Sequence, residues 1–257
     1  MNTAFRQLNI PAINDVAHKL STEGSACITD FLSTEQLISL QRTVAAEAEK
    51  HTGRYFAHHG GGEIESSLLG ALGGSPEFRN LLESIYRAGI GKGAYSDEIL
   101  KVLRCVQGNS GRRESNCFHY DASLVTALLP IEIPQDGVDK GDLIMFPNLR
   151  RVRSNVLFNV AEKALLQNAL SRKLISAAVR HSVLRPKKLQ LVPGNLYLFW
   201  GYRTLHANEP CDPGSRRATA IFHYGDPHAG SLATRLILKL NQRRARRATN
   251  LGTQSPV

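Results

Sequence analysis

Apolar positions recur at helical spacing through the first third of the chain and at strand spacing through most of the remainder. Ile13, Val16, Ala17 and Leu20 predict a helix over 13–22, which Glu23-Gly24 ends. Residues 25–32 read as a brief strand. Ser33 and Gln36 then form an S-x-x-Q capping box that opens a long helix, with Leu37, Leu40, Val44 and Ala45 on one side, ending near 51–53. A second amphipathic helix spans 76–88, with Pro76 at its start and Gly89 to Gly93 as its stop. Between the two long helices, His58-His59-Gly60-Gly61-Gly62 reads as a flexible loop, because adjacent imidazoles on a regular backbone diverge.

From Ile99 the period becomes that of strands. Runs at 99–107, 118–133, 142–147, 188–192, 196–200, 204–210 and 216–224 are separated by turn-forming segments such as 137–141 and Pro193-Gly194-Asn195. Only residues 155–180 interrupt them, a helical stretch without Gly or Pro. Short strands with flanking helices predict a mainly β chain whose core is a sandwich or jelly roll. A last helix can form over 231–247.

Composition adds few constraints. The 257 residues are 42% hydrophobic, enough for a substantial core. Cys27, Cys105, Cys117 and Cys211 lie far apart, and the N-terminus has no export-type apolar segment, so a reducing, cytoplasmic location is expected. Charge is more informative. The net +10 is segmental: 148–188 carries ten Lys/Arg against Glu162 alone, and 229–257 carries six with no acid, leaving the rest of the chain at −5. Two basic segments around an acidic body suggest contact with an anionic partner or a membrane surface, the alternative being solvated helix faces and a disordered tail.

The candidate chemistry lies in Cys117-Phe118-His119-Tyr120-Asp121. Residues i and i+2 of a strand face the same way, so His119 and Asp121 can reach one point in space. An imidazole and a carboxylate are two thirds of the facial set that holds ferrous iron and leaves positions open; a distant His would complete it. His119-Tyr-Asp121, then His206 in TLHANEP, then Arg216-Arg217 before ATAIFHY, with the helical preface GSACITDFLSTEQLISLQ, resemble the iron(II)- and 2-oxoglutarate-dependent dioxygenases, most of all their phytanoyl-CoA dioxygenase-like members. The resemblance covers about 13–228.

It implies a double-stranded β-helix (jelly roll, cupin-like) in one domain over 1–228. Residues 1–95 would be its helical N-terminal part, 148–188 a basic helical insert and 229–257 a basic tail. It also implies iron(II) on His119, Asp121 and His206, with 2-oxoglutarate and dioxygen as co-substrates and no catalytic residue beyond the ligands. Arg217, eleven residues after His206, would pair with the far carboxylate of 2-oxoglutarate, as a guanidinium does bidentately. Arg217, Thr219 and Ile221 share a strand face, so Thr219 would assist and Arg216 would point outward. His223 is read as structural, and Asn208 and Trp200 as candidates for shaping the pocket. The retained carboxylate of Asp121 favours hydroxylation over halogenation. The expected substrate is small or linked to a carrier or lipid, and anionic. Two alternatives stay open: a non-catalytic metal-binding β-barrel used as scaffold or sensor, and an oxidative nucleic-acid modifier. The latter ranks lower because His223 stands where a second Arg would.

Overall fold

The computed structural model describes residues 10–137, 139–152 and 168–228. The basic tail and residues 155–167 of the expected insert helix lie outside them. The elements run α1 (Ile10–Thr22), β1 (Ala26–Ile28), α2 (Thr34–Lys50), β2 (Phe56–His59), α3 (Gly62–Glu65), α4 (Leu68–Gly74), α5 (Pro76–Ile90), β3 (Ile99–Gln107) and α6 (Gly108–Arg112). They continue as β4 (Val125–Glu132), β5 (Leu143–Phe146), α7 (Ala169–Arg180), β6 (Lys187–Leu189), β7 (Leu196–Trp200), β8 (Leu205–Asn208) and β9 (Arg216–Tyr224).

The helix boundaries follow their caps. Ser33 and Gln36 make the reciprocal capping box at the start of α2. Ser75 accepts from the Phe78 amide at the start of α5, Pro76 takes a first-turn position, and Gly91 ends the helix at φ +79°. The segment expected to be a flexible loop is ordered: residues 56–59 form β2, antiparallel to β3, with Phe56 opposite Cys105 and His59 opposite Val102. Short helices α3 and α4 follow, which their glycine content had hidden.

Two antiparallel sheets face each other, one of six strands in the order β1-β7-β4-β9-β3-β2 and one of three in the order β6-β5-β8. This is the expected double-stranded β-helix architecture. The large sheet is covered on one face by helices and on the other by the small sheet, which explains why β4 is largely apolar on both faces, with Thr126 as the polar exception before Glu132. Val125, Ala127, Leu129 and Ile131 enter the helix-side core, whereas Leu128 meets Leu143, Met145, Tyr197 and Phe199 between the sheets. Trp200 belongs to the helix-side core, stacked so closely on Gly89 that a β-carbon there would sit 2.7 Å from its ring. It therefore does not shape the pocket, and its truncation to Ala would cost about 3–5 kcal/mol as a core cavity.

A third apolar cluster, Phe118, Tyr120, Ile144, Leu205 and Ala207, is packed by Ile175 and Val179 of α7. The described part of the insert thus covers the small sheet. Several of its cations are also spent internally. Arg150 is buried between the rings of Tyr120 and Tyr202, 4.2 and 3.9 Å from their centroids. Lys187 donates to the Glu23 carbonyl and the Ser25 hydroxyl, and Lys188 bridges Asp142 and Glu209. These three are structural, so the segment is less of an anionic docking surface than its raw charge suggests. No helix among the described residues is long and apolar enough to cross a membrane.

Candidate metal centre

His206 lies on β8, opposite Met145 of β5, and the alternation of that strand turns His206 and Asn208 away from Leu205 and Ala207. His119 and Asp121 are not in a continuous strand as their spacing suggests; the regular part of that run begins only at Val125. A two-residue bridge replaces it: the His119 and His206 backbones exchange hydrogen bonds of 3.0 Å in each direction, and the Asp121 amide donates to the Gly201 carbonyl at 3.1 Å. The local ladder still brings the three side chains together. His119 Nε2 is 3.6 Å from Asp121 Oδ1, and His206 Nε2 is 3.7 Å from Asp121 Oδ2. One ligand atom from each can be chosen so that all three lie within 4.8 Å of one another.

The donor chemistry fits a metal. His119 Nδ1 donates to the Cys117 carbonyl at 2.8 Å and His206 Nδ1 to the Thr204 carbonyl at 3.0 Å. A carbonyl only accepts, so each proton sits on Nδ1 and each Nε2 presents a lone pair to the common point. Burial, and then the neighbouring His206, push His119 down to about 4, so it is neutral at physiological pH. Burial opposes the charge on Asp121, but the imidazoles of His206, His223 and His119 and the Thr126 hydroxyl, which donates at 2.5 Å, together hold its carboxyl well below the usual range. Gly201 leaves the room for that carboxylate: a β-carbon there would lie 2.3 Å from Asp121 Oδ2 and 2.1 Å from Thr126 Oγ1.

Behind the cluster, Arg217 is fully buried on β9. Its Nη2 donates to Asn208 Oδ1 at 3.0 Å and its Nη1 lies 3.5 Å from Thr219 Oγ1. Its Nε is buried without a hydrogen-bond partner, and desolvation, with Arg104 adding repulsion, lowers it to about 10. Arg216 points the other way and pairs with Glu132 at 2.8 Å, so the two arginines divide as their positions on the strand suggest.

His223, read from the sequence as structural, lies beside the candidate ligands. It continues the face of Arg217, Thr219 and Ile221, with Nδ1 3.7 Å from Asp121 Oδ2 and 3.4 Å from Thr126 Oγ1. Arg104 on β3, directly opposite Thr219, also enters the site. It lines a cavity of about 60 Å³ together with His119, Asp121, His206, Asn208 and His223. Extending the two-residue period of β9 by one more step would have found His223. The run 99–107 carries two cations, Lys101 and Arg104, on opposite faces of the strand, and only the β3–β9 register assigns Arg104 to the site. His223 also borders a cleft of about 770 Å³ beside β2 and β3, reached by His59, Arg79, Glu98 and Lys101.

No protein-family model and no curated protein matches the sequence. Solved structures do match its fold. A Pseudomonas putida prolyl-4-hydroxylase superposes at TM-score 0.53 with 16% identity, over 84% of this chain and all of that one. The non-heme alpha-ketoglutarate-dependent epimerase SnoN of nogalamycin biosynthesis superposes at 0.57 with 12% identity, over 85% of this chain and 82% of that one. SnoN in complex with Fe3+, alpha-ketoglutarate and nogalamycin RO matches at 0.54 with 11% identity, over 85% of each chain. With its two facing antiparallel sheets, the chain shares the fold of these structures, a double-stranded β-helix.

Proposed function

We propose that this protein is an iron(II)- and 2-oxoglutarate-dependent dioxygenase that hydroxylates a small or carrier- or lipid-linked anionic substrate, releasing succinate and carbon dioxide. The observation that carries the reading is the convergence of two Nδ1-protonated imidazoles and an ionised carboxylate, with a buried guanidinium behind them. His119, Asp121 and His206 would hold the metal. Bound iron would supply the activation of dioxygen, driven by oxidative decarboxylation of the co-substrate.

The protein's own groups have separable tasks. The Arg217 guanidinium, with its partner-free Nε, would receive the far carboxylate of 2-oxoglutarate, and Thr219 and Asn208 hold the guanidinium in place. Thr126 and Gly201 orient Asp121. Arg104 supports an anionic substrate, since it adds a second guanidinium to the same small cavity. The adjoining cleft at His223 offers room for the rest of the substrate.

Anaerobic addition of iron(II) and 2-oxoglutarate should produce a weak visible charge-transfer band that His119→Ala abolishes, and aerobic turnover should release succinate. Absence of both the band and succinate would overturn the proposal.

A further inference from the structure

We propose a second metal site at Glu47, His51 and His58, on the face of the large sheet opposite the candidate iron centre, suited to a borderline divalent ion such as zinc, cobalt or nickel. Its placement follows from strand alternation. On β2, Phe56 and His58 pair with Cys105 and Leu103 of β3, both of which point into the helix-side core. Ala57 pairs with Arg104, which points to the other side. His58 is thereby aimed at the end of α2, where Glu47 of the last turn and the C-cap residue His51 stand four residues apart.

The donors are preorganised. Glu47 is 4% exposed, an uncommon place for a carboxylate, and Oε2 lies 3.2 Å from His58 Nε2. Two donors each about 2.1 Å from a tetrahedral ion stand about 3.4 Å apart, so this separation accommodates an ion between them. The His51 ring is stacked on Phe56 at 4.3 Å and 14°, with its centroid 5.6 Å from that of His58. One ligand atom from each of the three residues lies within 4.8 Å of the others. His58 keeps 27% of its side chain accessible and His51 is half-buried, which leaves a solvent side for entry and for a water ligand. Lys50 contacts the other carboxylate oxygen, Oε1, and leaves Oε2 to the site. That hydrogen bond and the charge of Lys50 outweigh desolvation and keep Glu47 ionised. A bound ion would clamp the end of α2 to β2, an edge strand of the large sheet.

The test is titration of the full chain with cobalt(II), read by its visible absorption and by stoichiometry. Two ions per chain are expected in the wild type. Glu47→Gln/His58→Ala should bind one, at the His119 centre, and His119→Ala/Asp121→Ala should bind one, at Glu47. His51→Gln, which leaves the buried carboxylate intact, should weaken the second ion at least tenfold. Lys50→Ala, at a side chain 56% exposed, should tighten it about two- to fivefold by removing a positive charge beside the incoming ion; a purely structural Lys50–Glu47–His58 network gives no such gain. Unchanged stoichiometry in Glu47→Gln/His58→Ala, wild-type affinity for the second ion in His51→Gln, or a second ion bound only at millimolar cobalt would overturn the proposal. Failure of the iron reading is a separate result, because it leaves His119→Ala/Asp121→Ala with the wild-type count.

Discussion

Replacing Gly201 by alanine tests the candidate metal centre without replacing a candidate ligand. Gly201 has no positive φ, so alanine fits its backbone and the perturbation is purely steric. The new β-carbon would lie 2.3 Å from Asp121 Oδ2 and 2.1 Å from Thr126 Oγ1. Ordinary contact begins at 3.4 Å, so the carboxylate must retreat by about 1.1 Å (3.4 less 2.3). Asp121 and Thr126 are both buried and bonded to each other, which leaves them little room to yield. Overpacking of this kind costs about 1–3 kcal/mol of stability, and disturbing the surroundings of a ligand lowers metal affinity by about 10–100-fold. The assay is an anaerobic iron(II) or cobalt(II) titration beside a urea unfolding curve. Gly74→Ala, whose β-carbon would meet nothing within 4 Å, is the control and should titrate like the wild type. A folded Gly201→Ala protein that binds iron with wild-type affinity would refute the placement of the metal against Asp121.

Other tests address separate parts of the molecule. Arg217→Gln should weaken 2-oxoglutarate binding by about 10–100-fold, the worth of a charge-assisted hydrogen bond, whereas Arg216→Gln, at the outward pair with Glu132, should change it less than threefold in isothermal titration. Burial pushes the Cys105 thiol up to about 12, so a maleimide should leave it unmodified at neutral pH in the native protein and label it in urea, as mass spectrometry would show. The hydrogen bond from Lys50 lowers the folded-state value of Glu47 below its ordinary one, against the cost of burial. The stability this contributes is complete above the unfolded value of about 4.3 and is lost as pH falls through the lower folded value. Urea midpoints followed downward from pH 7 should therefore fall less steeply on the acid side in Glu47→Gln.

Much of the fold was legible because its signals are local. The capping box at Ser33 and Gln36 and the Pro76 start each act within a few residues and mark observed boundaries, and the Gly89 to Gly93 stop contains the C-cap Gly91, so that the helix ends at Ile90, two residues beyond the expected end at 88. Strand runs such as 196–200 and 216–224 were legible for the same reason. What failed were segments whose structure depends on partners far along the chain. His58 and His59 sit in a strand because β3 pairs with them, and no local pattern announces an edge strand four residues long beside three glycines. The 118–124 stretch failed in the opposite direction. Its apolar and polar alternation suits a strand, but only His119 finds a bridge partner there, so placement of the candidate ligands rests on the hydrogen-bond pair between His119 and His206 and the Asp121–Gly201 bond rather than on a ladder.

The candidate site shows the same division between local and distant information. Its candidate ligands were legible because a metal demands particular donor types, and the separation of His119 from Asp121 limits where they can point. Arg104, by contrast, is joined to the site only through the β3–β9 register, which sets it opposite Thr219. Glu47 and His51 show the helical spacing in the sequence, but their third member comes from β2, and pairing with β3 decides which of His58 and His59 turns toward α2. That one alternation separates the two histidines: His58 contacts Glu47, while His59 lines the large cleft. A one-residue slip of β2 against β3 would exchange their sides of the sheet. The register of β2 therefore bears on both the proposed second metal site and the large cleft, although neither contains His119, Asp121 or His206 of the candidate iron centre.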